Sequence, residues 1–101
     1  MEFPIKEGTE TRITLSGKLN FSNAPLLMDE LTALKGKDIS KIIFECAELT
    51  YISSAGIRAI IYAQQKIISG VTVCLEDAND DVKDVLDMCG LIDFIELRES
   101  E

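Results

Sequence analysis

Apolar positions along this chain switch repeatedly between a period of two and a helical period. From Thr11 to Ser16 polar and apolar residues alternate singly, which predicts a strand with one exposed face. An edge strand over Phe3–Glu7 is expected to pair with it through the turn at Gly8-Thr9-Glu10. Gly17–Phe21 reads as a loop. Ser22 or Asn23 then caps a first helix, whose apolar positions Ala24, Leu27, Leu31 and Leu34 recur at helical spacing. Pro25 suits the first turn, where its missing N–H costs nothing. Lys35-Gly-Lys-Asp breaks that helix, and Ile39–Cys46 is the continuous apolar run expected of a strand buried on both faces. A second helix starts at Ser53 or Ser54, offers Ile57, Ile60, Ile61 and Ile68 to a core, and stops at Gly70. Val71–Leu75 is another buried strand. Asn79 is the expected cap of a third helix over Asp80–Met88, which buries Val82, Val85 and Leu86 and ends at Gly90. Ile92–Leu97 closes the chain as a last strand.

The order β-β-α-β-α-β-α-β predicts an α/β fold with a mixed, mainly parallel sheet, opened by an N-terminal β-hairpin and continued through helical crossovers. No repeat or linker interrupts it, so residues 1–101 are expected to form a single domain. A chain of this length buries roughly 60–70% of its extended surface, enough for one core without staples.

Composition removes several functions. A net charge of −8 argues against nucleic acid and anionic membrane surfaces, which require clustered Lys and Arg. No apolar run approaches the ~20 residues of a membrane span, and Met1–Lys6 does not resemble the start of a signal peptide. Cys46, Cys74 and Cys89 are odd in number and form no C-x-x-C pair, and histidine is absent. No metal site or cofactor is expected, and reduced thiols in a cytoplasmic protein are the simplest account. Without histidine no Ser-His-Asp or Cys-His arrangement exists, and neither phosphate-binding glycine motif is present. Carboxylates such as Glu45 and Glu48 could form an acid/base pair, but no cleft is implied there. A non-catalytic domain is expected.

What remains is the run Tyr51-Ile-Ser-Ser-Ala-Gly-Ile-Arg58, where a buried strand turns into a helix. Unpaired N–H groups and the positive end of the macrodipole favour negative charge at a helix N-terminus. A serine at such a point either caps the helix or carries a phosphate. Neither Ser53 nor Ser54 has Glu or Gln three residues later, so neither builds a capping box. Gly56 permits close approach of helix and strand. Arg58 is a first-turn cation able to meet solvent, a phosphate or an acidic partner.

The Tyr51–Arg58 run resembles the strand-to-helix turn of the STAS family, and within it the stand-alone anti-sigma factor antagonists. Leu15-Ser-Gly-Lys-Leu-Asn-Phe-Ser-Asn-Ala-Pro25 is similar to that family's Gly-Glu-[Ile/Leu]-Asp segment ending in Ala-Pro. Val85-Leu-Asp-Met-Cys-Gly-Leu-Ile-Asp-Phe-Ile95 resembles its closing helix and strand entry. The resemblance implies partner switching. The unphosphorylated domain binds a serine kinase that is also an anti-sigma factor, phosphorylation with ATP and magnesium breaks the complex, and a PP2C-type phosphatase resets it. Aligning Gly56 with the family glycine implies Ser54 as phosphoacceptor, with Ser53 as the cap and as second choice of acceptor. It also implies a partner surface that includes Asn20, Ser22, Ser53, Ala55, Gly56 and Arg58. Ser53 and Asn20 stand where the family carries acidic residues. Their presence motivates an alternative reading, a STAS subunit that is never phosphorylated and binds an ABC-transporter ATPase.

Overall fold

The protein is described by a computed structural model covering residues 3–63, 71–90 and 95–99. Its elements are β1 (Ile5–Lys6), β2 (Glu10–Leu19), α1 (Ala24–Thr32), β3 (Lys41–Ile52), α2 (Ser54–Tyr62), β4 (Thr72–Glu76), α3 (Asp80–Met88) and β5 (Glu96–Arg98). The five strands form one sheet in chain order. β1 pairs antiparallel with β2, and every later pairing is parallel. Each helix therefore carries the chain to the adjacent strand in the same direction. With crossovers of one hand, this places the three described helices on one face of the sheet.

That face is the core. Ile13 and Leu15 of β2, Ile42 and Phe44 of β3 and Val73 and Leu75 of β4 project from it. They meet Leu27 and Leu31 of α1, Ile57 and Ile60 of α2, and Val82 and Leu86 of α3. The helices show the apolar spacing that predicts them. Leu34 is also buried, although it lies beyond the end of α1.

The opposite face carries a charged ladder. Arg12 Nη1 donates to Glu45 Oε2 at 3.0 Å and to Glu76 Oε1 at 3.2 Å, and Arg98 Nε donates to Glu76 Oε2 at 3.2 Å. Thr14 Oγ1 donates to Glu45 Oε1 at 2.8 Å. Ile43 and Cys74 lie on this face and are fully buried, so β3 is covered on both sides as its continuous apolar run predicts.

Two strands run further than their alternation indicates. The expected loop at Gly17–Phe21 is strand as far as Leu19, and the expected strand Ile39–Cys46 becomes Lys41–Ile52. The cause is a pair of bulges in β3. Thr14 faces Glu45 but Ser16 faces Glu48, and Gly17 faces Leu49 but Lys18 faces Tyr51, so β3 inserts one extra residue each time. Beyond Glu45 the buried residues of β3 are Cys46, Leu49 and Ile52, spaced by three rather than two. β1 is shorter than Phe3–Glu7, although Phe3 is buried. Ile68, Gly70 and the start of the expected last strand, residues 92–94, lie outside the described residues.

Candidate functional site

The extended ends of β2 and β3 deliver the serine turn. Ser53 N donates to Leu19 O at 2.8 Å, the last link between the two strands, and α2 begins at the next residue. Ser53 has extended backbone, and its Oγ accepts from Gly56 N at 3.3 Å. This is an N-cap, and with 7% of its surface exposed Ser53 is buried. Ser54 is the first residue of the helix and is exposed. The two hydroxyls, equivalent in sequence, occupy different environments.

Gly56 explains why the turn can sit so close to the sheet. A Cβ there would lie 2.8 Å from Ile52 Cγ1 and 2.9 Å from both Leu19 Cγ and Leu19 Cδ2. Only glycine lets the first turn of α2 rest on the ends of both strands without displacing them. Ala55 is half-buried and packs against the core. Arg58 is exposed, one helical turn after Ser54 and on the same side of α2.

The segment from Lys18 to Asn23 is tied down by amide side chains. Asn20 N donates to Asn23 Oδ1 at 2.7 Å, and Asn23 Nδ2 donates to Lys18 O at 2.6 Å. Ser22 N donates to Asn20 Oδ1 at 2.9 Å, an Asx turn. Asn23 occupies the N-cap position of α1, yet its side chain bonds backward into this loop and caps no helical N–H. Ser22 is exposed and makes no cap. Asn20, Ser22, Ser53, Ala55 and Gly56 are therefore brought together around the Leu19–Ser53 junction, with Arg58 one turn further along α2.

Two residues of this region were not singled out by sequence pattern. Phe21 is 75% exposed and Tyr51 is 50% exposed, both large apolar side chains left facing solvent. An aromatic residue two positions beyond the buried Leu19, in a segment rich in small polar residues, was the available signal for Phe21.

The ladder face offers no comparable chemistry. A hollow of about 210 Å³ there is bounded by residues that include Lys6, Arg12, Thr14 and Glu45. It falls short of the roughly 300–1,000 Å³ usual for ligand pockets. The Thr14 hydroxyl and the Arg12 guanidinium hold the Glu45 carboxyl below its ordinary pKa, opposite to the requirement of a general acid at neutral pH. Glu48 is exposed on β3 opposite Ser16, beyond the first bulge from Glu45. Burial pushes the Cys46 thiol up to about 12, which makes it a poor nucleophile.

Among the described residues, a mixed five-stranded sheet with three helices on one face carries a capped strand-to-helix turn beside an exposed serine, the arrangement of a small α/β domain. The chain belongs to the STAS domain family, whose model matches residues 1–101. It is 28% identical over 88 residues to BtrV of Bordetella bronchiseptica, a protein named as an anti-sigma factor antagonist, covering 85% of this chain and 75% of that one. A crystal structure from Thermotoga maritima, also named as an anti-sigma factor antagonist, superposes with a TM-score of 0.86 at 23% identity, covering 97% of this chain and 86% of that one. The phosphorylated form of the Bacillus cell fate determinant SpoIIAA superposes with a TM-score of 0.77 at 16% identity, covering 98% of this chain and 91% of that one. Among the described residues no helix is long and apolar enough to cross a membrane.

Proposed function

We propose that this chain is an anti-sigma factor antagonist that binds a serine-kinase anti-sigma factor and is released by phosphorylation of Ser54. The observation that carries the reading is the division of labour at the turn. Ser53 caps α2 and is buried, while Ser54 stands exposed as the first helical residue. The names of the relatives support the antagonist role, and the phosphorylated SpoIIAA structure supports a fold that tolerates the modification.

In the phosphoryl transfer, Ser54 Oγ attacks the γ-phosphorus of ATP, ADP leaves, and the hydroxyl proton passes to a base of the kinase. Magnesium and ATP belong to that enzyme. The product adds about −1.5 to −2 charges and three acceptor oxygens. On its own protein the phosphate sits at the N-terminus of α2, which favours an anion by about 0.3–1 kcal/mol at an exposed site. Against a partner the same group must be desolvated or meet a like charge, and about 1.4 kcal/mol already weakens binding tenfold. The fold survives while the complex separates, and a PP2C-type phosphatase reverses the step.

Binding of two variants to the purified kinase tests the reading. Ser54→Ala is expected to keep the complex in the presence of ATP, and Ser54→Asp to weaken it by at least about tenfold. Equal binding by both variants, or a stable complex with an ABC-transporter ATPase in place of the kinase, would overturn it.

A further inference from the structure

The chain is strongly acidic, yet the carboxylates avoid the serine turn. No Asp or Glu occurs between Glu10 and Asp29, nor between Glu48 and Glu76. The parts of those stretches that meet at the turn run from Ser16 to Met28 and from Leu49 to Ala63. Their only charged residues are Lys18 and Arg58, both cationic and exposed. Both belong to elements that meet at the Leu19–Ser53 junction. Lys18 precedes Leu19, whose carbonyl accepts from Ser53 N and whose side chain abuts Gly56, while Arg58 lies two residues beyond Gly56. Carboxylates return at the border, with Glu48 exposed on β3 opposite Ser16 and with Asp80 and Asp81 opening α3, which Asn79 Nδ2 ties to Leu49 O at 3.1 Å. On a protein of net charge −8, the serine turn is a small cationic island, and the N-terminal pole of α2 adds to it.

Phe21 stands at this island with three quarters of its surface in solvent. Its loop is fixed on both sides by the Asn20–Asn23, Asn23–Lys18 and Ser22–Asn20 hydrogen bonds. A large aromatic on a pre-ordered backbone loses little conformational freedom on binding, and such residues are favoured as interface anchors.

We propose that Phe21 is the apolar anchor, and Lys18 and Arg58 the steering charges, of a docking surface for an anti-sigma factor whose contacting face is an apolar pocket rimmed by carboxylates. The proposal rests on the antagonist reading above and adds the partner's chemistry and the cause of release. Phosphate on Ser54 removes the cationic character of the island and places dianionic charge against an acidic rim, so steering and contact fail together. Asn20 fits this polarity, because a carboxylate at that position would add negative charge to the island.

The test is association and dissociation kinetics of the purified cognate anti-sigma factor with wild type, Phe21→Ala, Lys18→Glu and Arg58→Glu, at low and high salt, with circular dichroism as a folding control. Phe21→Ala is expected to lower affinity at least about tenfold, mainly through faster dissociation. Each charge reversal is expected to slow association and to flatten its salt dependence. Wild-type affinity for Phe21→Ala, or association that quickens on charge reversal, would overturn the proposal while leaving the antagonist reading intact. Failure of the wild type to bind would instead remove that reading, and the proposal with it.

Discussion

Ser53 and Ser54 are adjacent, chemically identical and separated in role by one residue of helix phase. The cap belongs to Ser53, because its extended backbone turns Oγ back toward Gly56 N, whereas Ser54 already follows the helix and points outward. Ser53→Ala should therefore destabilise the domain by about 0.5–2 kcal/mol, the range for losing a serine cap. Ser54→Ala should change stability by less than about 0.5 kcal/mol, as for an ordinary surface position. Urea midpoints for the two variants check this, and an equal loss in both would show that the cap is shared. Gly56→Ala has a separate cause of damage. Its methyl group would meet Ile52 and Leu19 at under 3 Å, and displacing two packed side chains should cost about 1–3 kcal/mol. The role of Gly56 was partly legible, since close packing is a standard use of glycine between strand and helix. Which serine caps was not legible from local pattern, since both suit an N-cap and neither has the acidic partner of a capping box. The family resemblance implied Ser53, and its bond from Gly56 N agrees.

Among the elements, helices were read well and strand ends poorly, for one physical reason. α3 begins after Asn79, whose Oδ1 accepts from Val82 N at 2.8 Å, and it ends before Gly90, which has φ of +73°. A cap and a positive-φ glycine are local signals carried by single residues. β2 and β3 are defined by each other, and their ends depend on bulges that no residue type announces. Two insertions change the buried spacing of β3 from two to three, so Leu49 and Ile52 fall out of alternation although they face the core. That extension sets the site, because it carries both strand ends to the Leu19–Ser53 junction.

The charged face of the same sheet gives a pH prediction. Glu45 has a lowered pKa in the folded protein, through Thr14 first and then Arg12. Its stabilising contribution is complete above the ordinary glutamate value of about 4.3 and is lost as pH falls through the lower folded value. Glu45→Gln should therefore be less stable than wild type at pH 7, with the difference shrinking toward pH 3. Denaturant midpoints at the two pH values measure it, and a gap that widens in acid would contradict the assignment.

For the whole molecule, the element order, the mainly parallel sheet and the hairpin followed from the alternation of strand-like and helical runs. The ladder joining Arg12, Glu45, Glu76 and Arg98 did not, because it links residues up to 64 positions apart. The cationic island was likewise invisible in the overall charge, since a net value averages over surfaces that the fold separates. The central claim is that Ser54 is the switch, acting on binding without disturbing the fold. Incubation of the wild-type protein with the active cognate kinase, ATP and magnesium, followed by fragmentation of the Tyr51–Arg58 region in a mass spectrometer, tests it most directly. The account predicts one phosphate, on Ser54, with Ser53 unmodified. Phosphate on Ser53, or an unmodified region under a kinase shown to be active, would contradict it.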